Sequence, residues 1–129
     1  MTVKIDETKL RKYFADARAA HAALMAAWDN TRAARRELSD AELALTRAKA
    51  AAPNIDVAKH RPKSADAPQD PVAAAERAVK AVRVKLDRIE VERERLSDAN
   101  DHASRLKRSV GEFARTHGAL PADLEEEIR

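Results

Sequence analysis

The chain of 129 residues contains no cysteine and only two glycines, Gly111 and Gly118. Without cysteine there are no disulfides and no thiolate metal sites, which is compatible with a reducing cytoplasm. Two isolated glycines cannot build a glycine-rich phosphate loop. Aromatics are almost as scarce: Tyr13, Phe14, Trp28 and Phe113. Large side chains dominate core burial, so a thick globular core is not expected. No run of about 18 apolar residues exists, so no membrane span is expected. The opening stretch MTVKIDETKL has no apolar h-region, so no signal peptide is visible. The expected location is the cytoplasm or a particle assembled there.

What remains is rich in Ala, Glu, Lys, Leu and Arg, with 36% charged residues. That is the composition of long helices or coiled coil. Valines nowhere alternate with polar residues over a strand length, so no sheet is assigned. Net charge is +3. The positive excess lies in residues 1–117, whereas the tail carries Asp123, Glu125, Glu126 and Glu127 against Arg129. Along both helices acids and bases interleave, as on solvated helix faces.

The first helix is expected over residues 6–52. Asp6 suits the N-cap, Glu7 the positive end of the dipole, and Ile5 with Leu10 a hydrophobic staple. Leu10, Ala17, Leu24, Thr31, Leu38, Leu45 and Ala52 repeat every seven residues. Tyr13, Ala20, Ala27, Ala34, Ala41 and Ala48 form the companion row, completing an a/d seam of about six heptads. Pro53 ends this helix, because the residue before a proline is pushed out of the α region.

The second helix is expected over 71–117, with Asp70 as N-cap and Pro71 at the first helical position. Its seam reads Ala75, Val79, Val82, Leu86, Ile89, Arg93 and Leu96. A step of three then leads to Ala99, Ala103, Leu106, Val110 and Phe113, a stammer that overwinds a coiled coil. Arg115 and His117 near the end, Gly118 at the cap and Pro121 beyond it mark the stop.

Residues 53–70 form a Pro-rich loop that decides the topology. A parallel pair would need it to span about 70 Å, more than the roughly 60–65 Å an 18-residue segment reaches when taut. The expected fold is therefore all-α: an antiparallel two-helix coiled-coil hairpin over 1–129, with a long loop and a short C-terminal helix. The matching register places Leu10 opposite Phe113, Leu24 opposite Ala99, Leu38 opposite Leu86 and Leu45 opposite Val79. Thr31 would face Arg93 near Asp29 and Asn30, a polar layer that fixes register. The loop exceeds what a reversal needs. Ile55 and Val57 could pack, while Lys59, Arg61 and Lys63 could form a basic tip.

Phe14, His21 and Trp28 make a second row beside the first seam, and Val84 and Val91 do so on the second helix. Exposed apolar stripes mark interfaces, and a bundle of two hairpins would cover these. The tail 118–129 is an acidic amphipathic segment, with Leu120, Leu124 and Ile128 at i, i+4 and i+8. It would dock on its own hairpin or on another protein. The expected protein interface is thus Phe14, His21, Trp28, Val84, Val91, Leu120, Leu124 and Ile128.

No catalytic, cofactor-binding or metal site is expected. His21, His60, His102 and His117 stand in no H-E-x-x-H or Glu-x-x-His pattern, and the serines have no glycine-elbow context. The carboxylates lie in mixed-charge faces without an apolar pocket. The expected role is non-enzymatic: an adaptor, stalk, assembly chaperone or component of a larger particle such as a secretion machine or virus. It would act as a homo-oligomer or within a protein assembly, with no small-molecule substrate and no cofactor. The alternative is a nucleic-acid-associated regulator that contacts phosphate through Arg32, Arg35 and Arg36 on the first helix and Arg105, Lys107 and Arg108 on the second. No aromatics interleave with those residues for base stacking.

Overall fold

A computed structural model describes residues 4–51 and 70–129. The long loop, with its candidate packing residues Ile55 and Val57 and its candidate basic tip, lies outside them apart from Asp70. Helix α1 runs Glu7–Ala51 and helix α2 runs Pro71–Thr116. A one-turn helix α3, Ala122–Glu125, continues into a 3-10 turn, Glu126–Ile128. No strand occurs among the described residues.

The helix ends follow local chemistry. Asp6 Oδ1 accepts hydrogen bonds from the Thr8 and Lys9 amides at 2.9 and 3.4 Å, satisfying donors of the first turn. Asp70 Oδ1 does the same for the Val72 amide at 3.0 Å. At the far end of α2, Gly118 adopts φ 66°. The Gly118 amide donates to the Arg115 carbonyl at 3.0 Å and the Ala119 amide to the Ala114 carbonyl at 2.8 Å. This double closure is the Schellman motif, and its left-handed residue favours glycine.

The helices pack antiparallel and the described chain divides into two compact units. One unit comprises Asn30–Glu90. Its seam is thin: Thr31, Ala34 and Val79 are buried, and Leu38, Ala41, Leu45, Val82, Leu86 and Ile89 are half-buried. Three cross-helix ion pairs run in antiparallel order: Arg35 with Glu90 at 3.5 Å, Glu37 with Lys85 at 2.8 Å, and Glu42 with Arg83 at 3.7 Å. All six side chains are exposed enough that the pairs set register more than they add stability.

The other unit comprises Met1–Asp29 and Val91–Arg129. Its core is a cluster of Leu10, Phe14, Ala114, Leu124 and Ile128, with Ile5, Val110 and Leu120 packed against it. Helices α1 and α2, helix α3 and the 3-10 turn all contribute to it.

Two seam expectations are corrected. The stammer is absent. The inward row of α2 continues without a break through Arg93, Asn100, Lys107 and Ala114, with Leu96, Ala103 and Val110 as its companion. Ala99 and Leu106 face solvent instead, and Phe113 is 50% exposed. A strict heptad keeps one face inward, and long side chains such as Arg and Lys can bury their stems there while their heads reach water. On α1, Phe14 replaces Tyr13 as the inward residue: Phe14 is 0% exposed and Tyr13 lies outside. The reason is the third element, which widens the core toward Phe14.

Candidate protein-interaction site

The C-terminal segment lies in a groove of the unit that comprises Met1–Asp29 and Val91–Arg129. Leu10 and Phe14 from α1 and Gly111 and Ala114 from α2 line it, and Leu124 and Ile128 fill it. Gly111 is the point of closest approach. A Cβ built there would stand 2.8 Å from Ile128 Cγ2 and 3.1 Å from Phe14 Cζ. Any larger residue must displace one of them.

Charges flank the apolar contacts. Arg11 donates from Nη1 to Asp123 Oδ2 at 2.9 Å and from Nη2 to Asp123 Oδ1 at 3.2 Å. Its Nε donates to Glu7 Oε1 at 3.0 Å. Arg18 Nη1 donates to both oxygens of Glu127, at 2.6 and 2.8 Å. The Arg11–Asp123 pair is a two-pronged contact, so it fixes orientation as well as adding attraction. The hydrogen bonds from Arg11 hold the Asp123 carboxyl below its ordinary range, and those to Asp123 and Glu7 raise the Arg11 guanidinium. The Asp123 contribution is therefore fully present above the ordinary carboxylate range. It fades as pH falls through the lowered value, where protonation removes the acceptor charge.

The expected interface residues fall into three groups. Phe14, Leu124 and Ile128 are buried inside the chain's own core, and Leu120 packs against it. Their coverage comes from the same chain: of the two dockings expected for the tail, the structure shows the one on its own hairpin, where Leu124 and Ile128 close over Phe14. Trp28 is half-buried beneath Arg93, whose guanidinium carbon sits 4.2 Å from the ring centroid. This cation–π contact covers a face that the sequence pattern left for a partner. It also explains where Arg93 goes: its position in the inward row brings it over the indole. Arg93 Nη1 is buried without a hydrogen-bond partner. His21 is exposed and lines a cleft of about 460 Å³ with Ala17, Arg18, Asn100, Ser104, Lys107 and Glu127. Of the expected interface residues, Val84 and Val91 are the aliphatics left exposed, at 46% and 68%.

The basic residues are also sorted by the structure. Arg35 is paired with Glu90, and Arg32 is engaged as well. Arg36 is exposed. Lys107 is half-buried in the inward row. Arg105 and Arg108 are exposed and line a shallow depression with Asp101 and Ser104. His117 meets Phe113 in a tilted ring contact with centroids 4.5 Å apart, while His102 is exposed and His60 lies outside the described residues. Among the described residues, no group of three or more His, Asp or Glu side chains could hold a metal ion. No described helix is long and apolar enough to cross a membrane.

No family model, curated protein or solved structure matches this chain. Function must therefore be argued from its own geometry.

Sequence reasoning missed Arg11, Arg18, Gly111 and Ala114. A signal existed for Gly111, because glycine inside a helix costs about 1 kcal/mol relative to alanine and usually marks close packing. A second signal lay in the tail, where each of Leu124 and Ile128 is preceded by a carboxylate, Asp123 and Glu127.

Proposed function

We propose that the chain is a non-enzymatic structural or interaction protein, acting through helix-to-helix contacts as a homo-oligomer or within a larger assembly. Adaptor, stalk, assembly chaperone and component of a secretion machine or virus particle all fit that role. The observation that carries this reading is Val91, 68% exposed on α2. Val84 on the same helix is 46% exposed, and Leu43 on α1 is 48% exposed. Apolar surface left by an otherwise charged helix pair favours association. Light scattering over a range of concentrations tests it. The wild type is expected to exceed its monomer mass of 14.3 kDa, and Val84→Glu with Val91→Glu is expected to return it to monomer. A wild type that stays monomeric and binds no protein overturns the reading. Trp28 emission is a poor reporter here, because Arg93 already shields the ring within one chain.

Arg105 and Arg108 favour the second reading, a phosphate-binding regulator. They are exposed on one helix face, near Ser104. Under that reading, Arg105→Ala with Arg108→Ala lowers the salt at which the chain leaves a heparin column, because each lost phosphate contact reduces the salt dependence. Unchanged elution removes it.

A further inference from the structure

We infer that the groove lined by Leu10, Phe14, Gly111 and Ala114 is a docking site for an acidic amphipathic helical segment of a partner protein, and that the chain's own C-terminal segment is its resident occupant. This deepens the reading of an interaction protein and rests on it.

The resident segment displays the chemistry the groove accepts. Leu124 and Ile128 stand at i and i+4, and both enter the core. The residue before each is a carboxylate held by an arginine of α1: Asp123 by Arg11 and Glu127 by Arg18. The ligand is thus an acid–aliphatic pair repeated after four residues. A partner helix with that pattern offers the same apolar knobs and the same anions to two arginines seven residues apart. Side chains at i and i+4 on one helix face are the usual reading frame of helix-in-groove recognition.

Construction of the site supports a removable occupant. The segment joins α2 through Thr116, His117, Gly118 and Ala119, all exposed. Gly118 carries the only positive φ among the described residues. Short helix α3 holds one turn only and makes its own Leu124 amide bond to the Pro121 carbonyl at 3.0 Å. Its hold on the groove therefore lies in Leu124 and Ile128, in Leu120 packed beside them, and in two ion pairs with solvent-exposed arginines. Exposed pairs of that kind orient a ligand more than they retain it. The tether supplies the rest, since a linked segment acts at an effective concentration on the order of millimolar. A partner with further contacts elsewhere on the chain can exceed that.

The test uses the full chain and a fluorescein-labelled synthetic peptide of residues 119–129, read by anisotropy. In the variant Leu124→Asp with Ile128→Asp the resident segment loses its apolar hold. Saturable peptide binding is expected there, at least tenfold tighter than to the wild type, whose own segment competes. Adding Arg11→Glu and Arg18→Glu is expected to weaken it at least tenfold. A second variant, Asp123→Lys with Glu127→Lys, sets like charges against Arg11 and Arg18 so that the segment is repelled, and serves if the first loses helicity by circular dichroism. A helical released variant that binds no tighter than wild type overturns the inference. So does binding that ignores both arginines. A wild-type dimer abolished by Arg11→Glu and Arg18→Glu would give the groove to a second copy and overturn the partner assignment. The Val84 and Val91 variants read association elsewhere on the chain, so failure of the groove leaves that reading standing.

Discussion

Phe14→Ala should cost the chain about 3–5 kcal/mol, the usual loss for truncating a fully buried phenylalanine. Phe14 has no exposed surface and is among the largest fully buried side chains of the described residues. It touches the core from the α1 side while Ile128 and Leu124 close over it. Removal deletes both the transferred surface and the wall against which the C-terminal segment packs. Urea denaturation read by circular dichroism measures the loss. Tyr13→Ala is the control, because Tyr13 is 38% exposed and outside the core. The two neighbours should differ severalfold, and equal losses would mean that Tyr13, as the heptad pattern suggested, holds the seam.

Gly111→Val should release residues 119–129. A single Cβ already falls 2.8 Å from Ile128 Cγ2, and valine adds two methyl groups. Overpacking of this kind costs about 1–3 kcal/mol. Valine is the better helix former, by a few tenths of a kcal/mol over glycine, so α2 itself should not suffer. The strain is expected to fall on the segment, which can leave. Carboxypeptidase digestion followed by mass spectrometry checks this: the variant should lose its terminal residues at least tenfold faster than wild type while its helix signal stays within a few per cent. Digestion at the wild-type rate would show that the core relaxes around the new side chain.

The particular residues show why the fold was legible and the site only partly so. Helix starts rest on one-residue chemistry, and Asp6, Asp70 and Gly118 each do what their type dictates. Spacing of leucines and alanines on α1 likewise reports which face turns inward. On α2 the same logic failed after Leu96, because it followed apolar residues through a step of three. The structure keeps the heptad and accepts Arg93, Asn100 and Lys107 half-buried. A periodicity argument weighs the tip of a long side chain and overlooks its apolar stem. The tail's apolar spacing already allowed docking on its own hairpin, but the pairing of Leu124 and Ile128 with Phe14, and of Arg93 with Trp28, left no trace in the pattern. Each pairing joins distant parts of the chain, and such contacts leave no local period to read.

Sequence separation gives the C-terminal core a further meaning. The Glu37–Lys85 contact joins residues 48 apart, whereas Arg11 and Asp123 are 112 apart. Closing the longer span from an open chain costs only about 0.8 kcal/mol more, because loop entropy grows with the logarithm of length. Once inner pairs have met, each outer pair closes only a small remaining gap. The chain therefore packs Leu10 and Phe14 against Leu124 and Ile128 across a wide separation in sequence. Burying one such side chain is worth about 1.5–3 kcal/mol, which exceeds the extra entropy of the longest closure several times over. Distance along the sequence is thus no weakness here.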